Sequence, residues 1–70
     1  MIRLNGANHD YRPGLSLKEL VDVHNESGPK LGFKGFVVVV DGVALTLAQA
    51  EEKVLEGGET IFIVPVLDGG

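Results

Sequence analysis

Apolar and polar residues alternate across Met1-Ile2-Arg3-Leu4-Asn5. This is the period-two pattern of a half-buried strand with Ile2 and Leu4 turned inward. Asn5-Gly6 is a turn pair suited to a tight hairpin. The more polar stretch that follows, residues 8–12, reads as an edge strand closed by Pro13-Gly14. The pattern then shifts to helical spacing. Leu17, Leu20, Val21 and the stem of His24 fall on one stripe, started by Ser16 with Glu19 as a capping box and Leu15 and Leu20 as a hydrophobic staple. Gly28-Pro29 ends that helix. Phe36-Val37-Val38-Val39-Val40 is an apolar, largely β-branched run too short for a helix, hence a strand with two apolar faces. Asp41-Gly42 turns it into a return strand at residues 43–45. Thr46 and Gln49 repeat the capping-box pattern. A short second helix over residues 47–56 is expected, burying Leu47, Ala50 and Val54 and stopped by Gly57-Gly58. A last strand is expected over residues 60–67. The economical arrangement packs both helices on one face of a mixed sheet, with the first and last strands as neighbours at its centre.

Composition narrows what such a domain does. Seventy residues make one small domain, read as 1–67 with 68–70 as a flexible tail. With no cysteine, neither a disulfide nor a thiolate metal site supplements the core, and any sulfur chemistry comes from elsewhere. A net charge of −4 argues against a nucleic-acid partner, whose phosphates demand a basic face. The longest apolar run is far shorter than the roughly 20 residues that span a bilayer, and no charged-then-apolar leader opens the chain. A cytoplasmic location is therefore expected, with no membrane partner.

No side-chain constellation for catalysis is evident. His9 and His24 lie in different elements, and a His9-Asp10 pair offers fewer ligands than a metal site needs, so no metal is expected. Ser16 is explained as a cap, Glu51-Glu52 as a solvated helix face, and the glycines do not form a phosphate-binding fingerprint. What stands out is the end of the sequence. The apolar strand Ile61-Phe62-Ile63-Val64-Pro65-Val66-Leu67 runs into Asp68-Gly69-Gly70. Glycine carries an entropic cost wherever it is ordered, so a terminal pair adds nothing to stability. Without Cβ atoms, however, it can lie extended in a channel too narrow for any other residue.

Together, the order of elements, the Val38-Val39-Val40-Asp41-Gly42-Val43 hairpin, the Gly58-Glu59-Thr60-Ile61 lead-in and the Gly69-Gly70 ending resemble the bacterial sulfur carriers of the ThiS/MoaD type. The resemblance implies an α+β, β-grasp (ubiquitin-like) fold: a mixed four- to five-stranded sheet with one long and one short helix on one face. It covers the whole chain at the level of fold, and the terminal diglycine with its preceding strand is its specific part. Val64-Pro65-Val66 leans toward the molybdopterin branch, whose members usually exceed this length, and Val43-Ala44-Leu45-Thr46 replaces the Val-Pro-Arg type strand common in thiamin carriers.

The resemblance implies a co-substrate rather than an enzyme. A ThiF-like adenylyltransferase of the ubiquitin-activating type would use ATP and magnesium to adenylate the carboxylate of Gly70, with Gly69 and Asp68 threading into it. A cysteine-desulfurase-linked donor would supply sulfur, leaving a thiocarboxylate for a ThiG-like thiazole synthase in thiamin biosynthesis. A MoaE-like large subunit of molybdopterin synthase is the alternative acceptor, and a ubiquitin-like protein modifier a further reading; a plain interaction module with an incidental diglycine is the third class. No cofactor is expected on the chain itself. If Ile61 and Ile63 face the helices, strand parity turns Phe62, Val64 and Val66 outward beside Val37 and Val39. Such an apolar patch suits docking, with Phe62 as the leading anchor.

Overall fold

Two glycine-containing dipeptides fold the sheet into hairpins. Asn5 and Gly6 have φ of 50° and 86°, and Asp41 and Gly42 have 50° and 84°. Positive φ at both central residues defines the tight turn whose twist matches that of paired strands. In the computed structural model, which describes residues 1–28 and 30–66, these turns join β1 (Ile2–Leu4) to β2 (Ala7–His9) and β3 (Phe36–Val40) to β4 (Val43–Leu45). The helix α1 (Leu17–Asn25) follows the first hairpin; α2 (Leu47–Glu52) and β5 (Thr60–Pro65) follow the second. The sheet order is β2-β1-β5-β3-β4. As expected, the first and last strands are neighbours. They run parallel with Leu4 opposite Ile61, and β5 runs antiparallel to β3 with Val38 opposite Ile63.

One core unites the sheet with the helices. Ile2, Leu4, Val38, Val40, Ile61 and Ile63 supply the strand side; Leu15, Leu17, Leu20, Val21, Ala50 and Leu55 supply the helix and loop side. The alternation read from residues 1–5 and the stripe at Leu17, Leu20 and Val21 both hold, and both members of the Leu15–Leu20 staple are buried. At α2 the capping box is complete: the Thr46 hydroxyl accepts from the Gln49 N–H at 3.1 Å, and the Gln49 side chain accepts from the Thr46 N–H at 2.9 Å. At α1 only half of it forms. Ser16 Oγ accepts from the Glu19 N–H at 3.1 Å, but the Glu19 carboxylate is taken by the Arg12 guanidinium at 2.8 Å and by the Ser16 hydroxyl at 3.2 Å. A charged donor competes better for a carboxylate than a backbone N–H does.

Four element boundaries differ from expectation; the last strand, expected over residues 60–67, ends at Pro65. The second strand stops at His9 instead of running to residue 12; the chain then turns, with Leu15 N–H donating to Arg12 O at 3.0 Å and the Tyr11 hydroxyl donating to Leu55 O at 3.2 Å. The first helix ends at Asn25, before Gly28. There the Asn25 amide imitates a peptide group, donating to Leu31 O at 2.9 Å and accepting from Leu31 N–H at 2.7 Å. The second helix ends at Glu52, four residues early. Residues 53–55 instead form a short antiparallel bridge with the segment leading into α1, centred on Ser16 opposite Val54: Leu17 N–H donates to Lys53 O at 3.0 Å and Leu55 N–H to Leu15 O at 2.8 Å. The period therefore changes from 3.6 to 2. Leu55 becomes the buried residue, while Leu47 and Val54, expected in the core, are 45% and 55% exposed.

Gly57-Gly58 consequently serves the turn into β5 rather than the helix end. Both residues have positive φ, 104° and 82°. The turn is held by buried Glu59, whose carboxylate accepts from the N–H groups of Glu56 and Gly57, each at 2.7 Å. A Cβ at Gly57 would also lie 3.3 Å from the Tyr11 ring, whereas one at Gly58 would meet nothing within 4 Å. Gly57→Ala is expected to lower stability by about 1–2 kcal/mol from backbone strain alone and by more than Gly58→Ala does. Equal urea midpoints for the two variants would refute the role given to Tyr11.

Candidate functional site: the open face of the central strands

Among the described residues, helices cover one face of the sheet and leave the other open. Strand pairing across β3 and β5 places Val39 opposite Phe62 and Val37 opposite Val64 on that open face. Phe62 is 50% exposed, Val64 47% and Val37 40%, while Val39 is half-buried beside its cross-strand partner. Val66, just beyond the strand, is exposed as well. The parity expected from the sequence therefore holds at Phe62, Val64, Val37 and Val39, and these four residues meet in one apolar patch. A polar border adjoins it: exposed Arg3 lies opposite Thr60 across β1 and β5, and opposite Asn8 across β1 and β2. An apolar centre with a polar rim is the usual anatomy of a docking surface.

The strand beneath this patch is held from both sides by residues of the two hairpin turns, a role that no local pattern marks. Asp41 accepts from Thr60 N–H through Oδ1 at 2.9 Å, while its own N–H donates to Thr60 O at 2.9 Å. At the other end, Asn5 N–H donates to Ile61 O at 2.9 Å. The Asn5 side chain continues the ladder where β1 has ended, accepting from Ile63 N–H at 2.8 Å and donating to Ile63 O at 2.9 Å. Backbone groups on a strand alternate sides, so the residue after Ile61 and Ile63 to face β1 is Pro65. Proline has no N–H to leave unpaired there. On the β3 side, Val66 N–H donates to Gly35 O at 2.9 Å. Asp68, Gly69 and Gly70, the residues expected to thread and react, lie outside the described residues, as does Leu67.

The remaining chemistry is sparse. His9 and His24, far apart in sequence, come together across β2 and α1: Nε2 of His9 and Nδ1 of His24 are 3.1 Å apart, with rings edge-on at 63°. No signal in the local pattern marks this pairing. Among the described residues there is no group of three or more His, Asp or Glu side chains placed to hold a metal ion. The Arg12–Glu19 ion pair is exposed on both sides, where such pairs contribute little. Among the described residues no helix is long and apolar enough to cross a membrane.

No protein-family model matches the chain, and no curated protein does. Among solved structures, the thiamine biosynthesis protein (ThiS) from Geobacter metallireducens is similar, with a TM-score of 0.68 over 99% of this chain and 97% of that one, at 17% sequence identity. Identity at that level carries architecture, and function has to be argued from the site. The chain is a β-grasp domain: a mixed five-stranded sheet with two helices on one face, sharing its fold from end to end with that ThiS structure.

Proposed function

We propose that this chain is a sulfur carrier, a co-substrate whose Gly70 carboxylate is activated by a partner enzyme and converted to a thiocarboxylate that donates sulfur in thiazole formation for thiamin. The observation that carries the reading is the end-to-end likeness in fold to a thiamine biosynthesis protein, ThiS, with almost nothing left over in either chain. The sequence Asp68-Gly69-Gly70 and the open apolar face of the strand that precedes it in the chain are what such a role requires.

A free carboxylate is a poor electrophile because its charge is delocalised and its leaving group would be oxide. In the proposed reaction a Gly70 oxygen attacks the α-phosphorus of ATP and pyrophosphate leaves, giving an acyl adenylate. The terminal sulfur of a partner's persulfide then attacks the acyl carbon and displaces AMP, giving an acyl disulfide; a thiol of the partner cleaves its S–S bond, leaving a thiocarboxylate on this chain and a disulfide between the thiol and the donor. ATP, magnesium and the sulfur donor belong to ThiF-like and desulfurase-linked partners; a ThiG-like synthase receives the sulfur. This chain contributes the reacting terminus and the docking surface. Intact-mass spectrometry of the protein isolated from its native host tests the reading. A fraction heavier by the difference of sulfur over oxygen supports it; higher-mass isopeptide conjugates would favour a protein modifier, and copurification with a MoaE-like subunit the molybdopterin branch.

Docking is proposed to run through Phe62, Val64, Val66, Val37 and Val39, with Phe62 as its anchor. Phe62→Ala is expected to weaken binding to the activating enzyme at least tenfold, about 1.4 kcal/mol or more. Because half of the side chain is already in solvent, thermal stability should change much less than affinity does. Calorimetric titration of wild type and variant against the partner checks both halves, and an unaltered affinity would remove Phe62 from the interface.

A further inference from the structure

We propose that Asn5 is a positioning residue for activation of this chain, acting through the backbone of Ile63; the proposal rests on the sulfur-carrier reading above. Strand β1 is only three residues long and pairs with β5 no further than Leu4 opposite Ile61. Beyond Ile61, whose carbonyl accepts from Asn5 N–H at 2.9 Å, no backbone group of β1 reaches β5 among the described residues. The Asn5 carboxamide supplies the missing peptide group, with its oxygen on Ile63 N–H at 2.8 Å and its nitrogen on Ile63 O at 2.9 Å. Ile63 sits between Phe62 and Val64, so the clamp fixes the backbone from which both outward side chains project. It also fixes the strand end from which Val66 leads toward the terminus. Two local features place the amide there. The turn holds Asn5 at φ 50°, a conformation asparagine tolerates better than most residues. The carboxamide also carries a donor and an acceptor together, as the two-sided contact demands.

Each bond of this kind contributes roughly a factor of five in an equilibrium. Without both, the end of β5 should open about thirtyfold more often, and a partner must then select the ordered strand from a looser population. The cost falls on binding, not on the chemical step.

Asn5→Gly is the informative variant because glycine keeps the left-handed turn and removes only the amide. Two measurements are made on the full chain. Amide hydrogen exchange should rise at Ile63 and Val66 by about tenfold or more relative to Asp41, whose N–H bonds Thr60 at the opposite end of the strand. In ATP–pyrophosphate exchange with the ThiF-like adenylyltransferase of the same host, KM for the chain should rise, about tenfold where the wild-type strand end is open about a third of the time, while kcat stays within twofold. Asn5→Asp keeps the acceptor for Ile63 N–H and loses the donor, so it should fall between wild type and Asn5→Gly. A uniform rise in exchange would make Asn5 a general brace and overturn the proposal. An unchanged KM beside a local rise in exchange would overturn it alone, leaving the carrier reading intact. If the wild-type chain is not activated at all, the carrier reading falls and takes this proposal with it.

Discussion

Deletion of Gly70 is expected to abolish activation completely while leaving the fold as stable as before. The two halves of that expectation have separate grounds. Under the sulfur-carrier reading the reacting group is the terminal carboxylate, through its oxygen in adenylation and its carbon in sulfur transfer. Removing one residue moves the carboxylate back by one position, about 3.3–3.6 Å, and ends the chain on Gly69. Misplacing a reacting group by even 1 Å can cost on the order of a hundredfold, so no acyl adenylate or thiocarboxylate should be detectable. For stability, the core residues and the hydrogen bonds that hold β5 among the described residues lie at or before Val66. A terminal glycine has no side chain to bury, and the melting temperature should be unaltered. Mass spectrometry after incubation with the activating enzyme, ATP and a sulfur source reads the first half; thermal denaturation reads the second. A truncated chain that still gains sulfur would end the carrier account, and a marked fall in melting temperature would give the terminal residues a structural role. Gly70→Ala keeps the length and adds one methyl group; a large loss in that variant would locate the requirement for glycine in a narrow channel of the partner.

Much of the fold was legible because its signals are local. The Asn5-Gly6 and Asp41-Gly42 pairs demand positive φ at two successive positions, which few residue pairs accept. The period-two face of Ile2 and Leu4 and the period-3.6 stripe of Leu17, Leu20 and Val21 each point to one burial pattern, and the structure buries all five. The outward parity of Phe62 and Val64 followed from the same alternation. What was not legible depends on partners distant in the chain. Val54 fits a helical stripe as well as Leu55 fits an extended one. The choice between them is made by Leu15 and Leu17, whose backbone groups capture Lys53 and Leu55. Glu19 looks like the second half of a capping box until Arg12 reaches it. His9 and His24 read as unrelated until β2 and α1 are set side by side. The Asn5 side chain spans 58 positions to reach Ile63, a contact no local window contains. In the candidate site, then, apolar content was readable from the strand pattern, whereas the device that holds the strand in place was not.

Ile61→Ala is expected to bring this domain close to unfolding, although the neighbouring Phe62→Ala should barely affect stability. Ile61 is fully buried at the centre of the sheet, opposite Leu4 on one side and Val40 on the other. Replacing such a side chain by alanine removes its transfer free energy and leaves a cavity, a loss of about 2–5 kcal/mol. A chain of this length has about 4–10 kcal/mol in total, at 0.05–0.15 kcal/mol per residue, and buries a smaller share of its surface than a larger domain does. The single substitution thus removes a large fraction of what holds the fold. Phe62, one residue on, points to the opposite face with half its surface already in water; truncating it costs little packing and opens no enclosed cavity. Urea denaturation of the two variants should therefore give widely separated midpoints, with Phe62→Ala near wild type. The comparison also tests what lies over the open face. A loss at Phe62 that matches the loss at Ile61, and deepens as protein concentration rises, would mean that a second copy already buries the patch in solution. It would then not be free to receive the activating enzyme, and docking would have to be sought on another surface.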